Sequence, residues 1–134
     1  MIGRAAIQTD GASRRNPGPA AIGGVIRDER GNVLAEISEA IGIATNNVAE
    51  YKALVVTLAK ARDLGVRAVD VRLDSELIVR QVEGRYRTKK PELRKLLSQV
   101  QRLLTSFESH TIGHVPRAQN RHADALANRA LDAR

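Results

Sequence analysis

A chain of 134 residues, 43% hydrophobic and mostly Ala, Val, Leu and Ile, is the right size for one domain around an aliphatic core. It holds no cysteine, which excludes a disulfide scaffold, a cysteine zinc site and thiol catalysis; no run approaches the roughly 20 apolar residues of a membrane span. The 22 Lys and Arg against 15 acids leave a formal charge of +7, which favours a polyanionic partner, either nucleic acid or an anionic surface.

"RAAIQTD" reads as a strand that ends at Asp10, before a loop rich in glycine, proline and arginine. "AAIGGVIRDERGNVLAEISEAIG" reads as two strands around a turn at Glu29–Asn32. "NNVAEYKALVVTLAKARDLG" has helical spacing: Asn46 or Asn47 can cap it, Gly65 stops it, and Tyr51, Leu54, Val55, Leu58 and Ala61 form its inner face. "RAVDVRLD" alternates as a strand and ends in a second acid, Asp74. "SELIVRQVEG" fits a short helix with Ser75 as cap and Gly84 beyond its end.

A basic connection, "RYRTKKP", leads to a helix from Pro91 with Leu93, Leu96, Leu97, Val100, Leu103, Leu104 and Phe107 on one stripe. "SHTIGHV" is a fifth strand holding His114, and "PRAQNRH" reads as a loop. The final helix turns Ala123, Leu126, Ala127, Ala130 and Leu131 inward. This order predicts an α/β domain with a five-stranded mixed sheet flanked by helices. Its first three strands form an antiparallel meander, and two further strands, reached by helical crossovers, run parallel to the first.

Parallel neighbours place their carboxyl ends on one rim, where open α/β sheets bind ligands. Asp10 and Asp74 end two such strands, Glu50 lies in the first turn of a helix, and Asp124 near the start of another. Acids in first turns also complement the helix dipole, and strand-end aspartates also cap turns. Four acids together would repel unless a cation neutralises them, and oxygen ligands alone suit Mg²⁺ or Mn²⁺. Two such ions about 4 Å apart form the phosphoryl-transfer arrangement.

"TDGASRRNPGPAAIGGV", "ATNNVAEYKAL", "LDSELIVRQV" and "HVPRAQNRHADALANRA", in this order, resemble the type I ribonuclease H family over nearly the whole chain, residues 1–134 as a single domain. The resemblance implies the ribonuclease H-like fold. It also implies an endoribonuclease that hydrolyses the RNA strand of RNA–DNA hybrids with two Mg²⁺ ions, or Mn²⁺ as substitute, leaving 5′-phosphate and 3′-hydroxyl ends. Asp10, Glu50, Asp74 and Asp124 then match the metal-binding carboxylates, Asp10 bridging both ions. Gly11, Asn16, Asn46 and Asn47 match contacts to the hybrid, the asparagines reading the minor groove, where amides can both donate to and accept from a 2′-OH. Thr45 matches a position that holds a DNA-strand phosphate. For the asparagines, helix capping is the alternative.

The sequence departs from the best-known bacterial pattern in three places. The loop before Asp124 is short, and Arg117 stands where a catalytic histidine often sits, as in a shorter-loop branch of the family. Glu76 replaces an amide that commonly contacts RNA. A long, tryptophan-rich basic protrusion is missing; instead "RYRTKKPELRK" offers Arg85, Arg87, Lys89 and Lys90 for phosphates and Tyr86 for stacking. His122, on the final helix, reads as a surface residue. Double-stranded RNA is a possible second substrate, since short-loop relatives tolerate it. A cytoplasmic monomer is expected: "MIGRAAIQTDG" lacks the apolar region of a secretory signal, and the missing cysteines suit a reducing cytosol. Related domains also occur fused to other enzymes. The competing readings are a non-catalytic nucleic-acid-binding domain, or another nuclease of this fold. Clustered anions argue against the first, and "TNN" and "NPGP" against the second.

Overall fold

In the computed structural model, which describes residues 2–133, period-two burial carries β1 (Ile2–Ser13) from Ala5 through Ile7 and Thr9, all buried on one face. It pairs antiparallel with β2 (Gly18–Asp28), which pairs antiparallel with β3 (Val33–Ala44). β4 (Val66–Leu73) runs parallel to β1, and β5 (Ser109–His114) parallel to β4. The sheet order β3-β2-β1-β4-β5 is the expected meander with two parallel strands added.

Four α-helices cover it: α1 (Asn46–Asp63), α2 (Glu76–Val82), α3 (Pro91–Thr105) and α4 (Arg121–Asp132). Successive residues of a strand face opposite sides. Gly23 of β2 lies under Ala123 of α4, whereas Gly24 lies under Thr57 of α1. Hence α4 packs on one face of the sheet and α1 on the other, where it also contacts α2 and α3. The main core sits on the α1 side, where Ile7, Ile26, Tyr51, Leu54, Leu58, Val69, Val71, Ile78 and Val100 are buried. Each such side chain contributes roughly 1.5–3 kcal/mol of transfer free energy. The Tyr51 hydroxyl donates to Gln81 Oε1 at 2.6 Å, which ties α1 to α2.

Several local expectations need correction. Asp10 does not end a strand: pairing continues to Ser13↔Ala20, so the hairpin is only residues 14–17. The glycines that suggested a loop serve close packing instead. Thr45, not Asn46 or Asn47, caps α1, its Oγ1 accepting from the Val48 amide at 3.2 Å. Glu50 consequently lies one turn inside the helix, not in its first turn. Part of "PRAQNRH" is ordered as a 3-10 turn over Arg117–Gln119, and α4 already begins at Arg121. Val55 and Ala130 are half-buried rather than fully inward. Ser75 caps α2 as expected, accepting from Ile78 N.

Candidate active site

The β1–β4 register brings the first two acids level. Gln8 pairs with Arg72, so two residues further on Asp10 stands beside Asp74, the residue that follows β4. Glu50 arrives from α1 and Asp124 from the first turn of α4. Both helices approach so closely because glycine lies beneath them. A Cβ on Gly11 would sit 2.3 Å from the Ala49 carbonyl carbon and the Glu50 amide nitrogen. A Cβ on Gly23, the partner of Asp10 across the hairpin, would sit 2.1 Å from the Ala123 carbonyl oxygen. No larger residue fits either place without moving a helix.

Ligand oxygens of Asp10, Glu50 and Asp74 lie within 4.8 Å of one another. Asp124 joins the set, close enough to Asp10 to oppose its ionisation. Together they line an open cleft of about 520 Å³ with Gly11, Ser13, Asn46, Ser75 and Arg117. Burial pushes the Asp10 carboxyl up to about 7, with Asp124 and Asp74 adding to the rise and a hydrogen bond from Glu50 opposing it. Glu50 is also pushed well above the usual carboxylate range, mainly by burial, then by the neighbouring Asp10. The Gly11 amide, which donates to Glu50, works against that rise.

Like charges held this near each other call for either shared protons or a cation. All the converging donors are carboxylate oxygens and no imidazole joins them, a donor set suited to a hard divalent ion. Asp10, Glu50, Asp74 and Asp124 therefore fit a metal centre.

The remaining residues singled out in the sequence surround this cleft or stand apart from it. Asn16 Oδ1 accepts the Asn46 amide at 3.0 Å, and Asn46 Oδ1 accepts the Ser13 amide at 2.9 Å. These bonds fasten the hairpin to the start of α1. Asn47 is exposed beside them, and Thr45 is the cap. Residues 85–90 form an exposed segment with one exception: Thr88 is buried next to the Tyr51 hydroxyl, so Arg85, Tyr86, Arg87, Lys89 and Lys90 project around an anchored point. Arg85 also borders a second cavity, between α2, α3 and β5, with Gln101 and His110.

Glu76 is engaged by Arg80 at 3.0 Å on α2. His114 ends β5, exposed. His122 links three elements: Arg27 of β2 donates to its Nδ1, and its Nε2 donates to Glu36 of β3. It does not line the carboxylate cleft.

Two further residues, neither singled out in the sequence, carry this geometry. Asn120, 1% exposed, donates from Nδ2 to the Thr9 carbonyl at 2.9 Å and to Asp74 Oδ2 at 3.3 Å. Gln8 donates to the Gln119 carbonyl at 2.8 Å, holding the 3-10 turn of Arg117 against β1. The available signal was an amide beside each acid, Gln8 two residues before Asp10 and Asn120 four before Asp124. Such spacing has no diagnostic value by itself.

Known proteins share this fold. Residues 8–130 match the family described as Reverse transcriptase-like. Ribonuclease HI of Halobacterium salinarum is 48% identical over 97% of the chain, which covers 65% of that protein. A crystal structure of the Halobacterium salinarum ribonuclease H1 superimposes with a TM-score of 0.96, covering 98% of this chain and all of that one (100%). A Mycobacterium tuberculosis protein described as bifunctional is also 48% identical, over 95% of the chain but only 35% of its own length. The chain thus spans less than two thirds of these curated relatives. A ribonuclease H1 called LC11, solved with an RNA/DNA hybrid, is 44% identical with a TM-score of 0.90, covering 96% of this chain and 97% of that one. With the sheet order, the four convergent acids and these likenesses in agreement, the chain belongs to the type I ribonuclease H family.

Proposed function

We propose that the chain is a single ribonuclease H domain that hydrolyses the RNA strand of an RNA–DNA hybrid, leaving 5′-phosphate and 3′-hydroxyl ends. The observation that carries this reading is the convergence of Asp10, Glu50 and Asp74, with Asp124, in one open cleft. A binder of polyanions has no use for clustered anions, whereas a hydrolase holding divalent ions does. Asp10, which neighbours Glu50, Asp74 and Asp124, would hold divalent ions together with them, with Mg²⁺ expected and Mn²⁺ as substitute. Bound there, such ions supply an activated water and offset charge on the attacking and leaving oxygens.

The chain's own groups supply orientation and recognition. Asn16 and Asn46 each use Oδ1 inside the protein, which leaves both Nδ2 sets free for a 2′-hydroxyl or sugar edge in the minor groove. Asn47 stands exposed beside them. Thr45 accepts from Val48 and keeps its own O–H for a phosphate oxygen. Gly11 brings backbone to the cleft floor. Arg117 borders the cleft as a fixed positive charge; it can offset phosphate charge, but it cannot shuttle a proton near neutral pH.

The reading includes a monomer in a reducing cytoplasm and allows slower cleavage of double-stranded RNA. Among the described residues no helix is long and apolar enough to cross a membrane. Four matched duplexes test it, with Mg²⁺ and with Mn²⁺: hybrid, RNA–RNA, DNA–DNA, and DNA carrying one ribonucleotide. The hybrid should be cut and DNA–DNA left intact. Equal cleavage of both would defeat the proposal.

Arg117→Ala should lower turnover about 10- to 100-fold, in line with loss of one electrostatic contact. Its pH–rate profile should keep the wild-type shape, because arginine does not titrate in that range. An unchanged rate would make the side chain a solvated one.

Replacing Arg85, Arg87, Lys89 and Lys90 by neutral residues takes the formal charge from +7 to +3. It should flatten the slope of log affinity against log salt by roughly two to three, at about 0.7–0.9 per phosphate contact. Turnover at saturating substrate should barely move, since these contacts hold ground and transition states alike. A control lacking four cations elsewhere, Lys60 and Arg62 at the end of α1, Arg102 at the end of α3 and Arg129 on α4, should lose less. Equal losses would reduce the segment to a general basic surface.

A further inference from the structure

We infer that Asn120 is a positioning residue for the metal-binding carboxylates: its side-chain amide locks Asp74 to the β1 backbone at Asp10, and so sets the affinity of the cluster for divalent ions. This rests on the metal-dependent reading above.

Asn120 is the residue before α4, the place where an asparagine ordinarily caps a helix. Here its side chain makes no capping bond. Its Nδ2 instead donates to the Thr9 carbonyl at 2.9 Å and to Asp74 Oδ2 at 3.3 Å. The Thr9 carbonyl belongs to the peptide that leads into Asp10, so one amide group connects two of the acids.

The backbone of the same residue reaches the rest of the site. Its carbonyl accepts the Asp124 amide at 3.1 Å, and its N–H donates to the Arg117 carbonyl at 3.0 Å. Asn120 is thus bonded to Asp74, to the peptide of Asp10, and to the backbones of Asp124 and Arg117.

Stability alone does not account for this placement. Asn120 is 1% exposed, and its Oδ1 is buried with no hydrogen-bond partner among the described residues. A buried acceptor left without a partner costs stability. A serine or aspartate cap would avoid that cost, but it would not present an N–H₂ fork to a carbonyl and a carboxylate at once. Residues that hydrogen-bond to ligating carboxylates fix ligand orientation, and their loss weakens metal binding about 10- to 100-fold.

Calorimetric titration of Mn²⁺ into wild-type protein and Asn120→Ala, without nucleic acid, tests the inference. The variant should remain folded by circular dichroism and bind Mn²⁺ at least about 10-fold more weakly. Its turnover at limiting metal should fall and should recover in part as metal is raised, with KM for the hybrid near the wild-type value. A folded variant with wild-type Mn²⁺ affinity would overturn the inference and leave the metal-dependent reading intact. A wild-type protein that binds no divalent ion would instead overturn that reading, and this inference with it.

One measurement needs no variant. Mg²⁺ titration of the wild type should shift the Asn120 side-chain amide resonances in step with the backbone amides of Asp10 and Asp74. Asn120 resonances that stay still while those two move would also overturn the inference.

Discussion

Asp10→Asn should abolish hydrolysis, by on the order of 10³-fold or more, while raising the melting temperature of the metal-free protein. The two effects have one cause. Asp10 is buried among Glu50, Asp74 and Asp124, and its carboxyl sits at about 7 instead of the ordinary 3.8. That displacement corresponds to about 4 kcal/mol for keeping the charge in the folded state, part of it shared with Glu50. Asparagine removes the charge and with it one carboxylate of the cluster. At neutral pH without metal the variant should melt several degrees higher, at roughly 4 °C per kcal/mol for a domain of this size.

The pH dependence follows with a definite sign. Between about pH 4 and pH 7 the folded protein binds more protons at Asp10 than the unfolded chain does, so metal-free stability falls as pH rises through that window. Glu50, displaced in the same direction, adds to the fall. Asp10→Asn should flatten this decline, and saturating Mg²⁺ should flatten it in the wild type. Thermal melts across pH, with and without metal, measure both. A variant that melts many degrees lower in metal-free buffer would make Asp10 a structural residue.

Gly23→Ala should destabilise the protein by about 2–4 kcal/mol, lowering the melting temperature by roughly 8–16 °C, and should cost activity as well. The added Cβ would lie 2.1 Å from the Ala123 carbonyl oxygen and 2.7 Å from the Ala127 amide nitrogen, both backbone atoms of α4. No rotamer change relieves such a clash; the helix must lift from the sheet. Asp124 sits one residue beyond Ala123, so the lift withdraws its carboxyl from Asp10. Ala at Gly31, where a Cβ would meet nothing within 4 Å but φ is +85°, serves as a control. It should cost stability through the backbone alone and leave turnover unchanged. A Gly23→Ala protein with wild-type stability and rate would show that α4 does not depend on this close approach.

Hydrophobic period made the elements legible. Alternation in "RAVDVRLD" and the leucine stripe of α3 are local properties, readable because burial on one face repeats every two or every 3.6 residues. Punctuation was less reliable where one residue type serves two purposes. The glycine after Asp10 looked like the start of a loop, yet Gly11 lies inside a paired strand where the backbone of α1 rests on it. The two asparagines before "VAEY" looked like caps, yet Thr45 caps α1 and frees Asn46 to accept from Ser13.

The order of strands and helices, the apolar faces and the four acids were therefore set within the sequence itself, because each depends on neighbours along the chain. The convergence of those acids was decided only in three dimensions. Asp10 and Asp74 meet through the β1–β4 register, Glu50 through the space above Gly11, and Asp124 through the space above Gly23. Asn120 lies within "HVPRAQNRHADALANRA", but its role was not legible there, because its partners, Thr9 and Asp74, lie far from it along the chain, and a hydrogen bond between distant residues leaves no periodic trace. The displaced carboxyl of Asp10 likewise arises from burial and from charges that folding brings near, neither of which a local stretch of sequence contains.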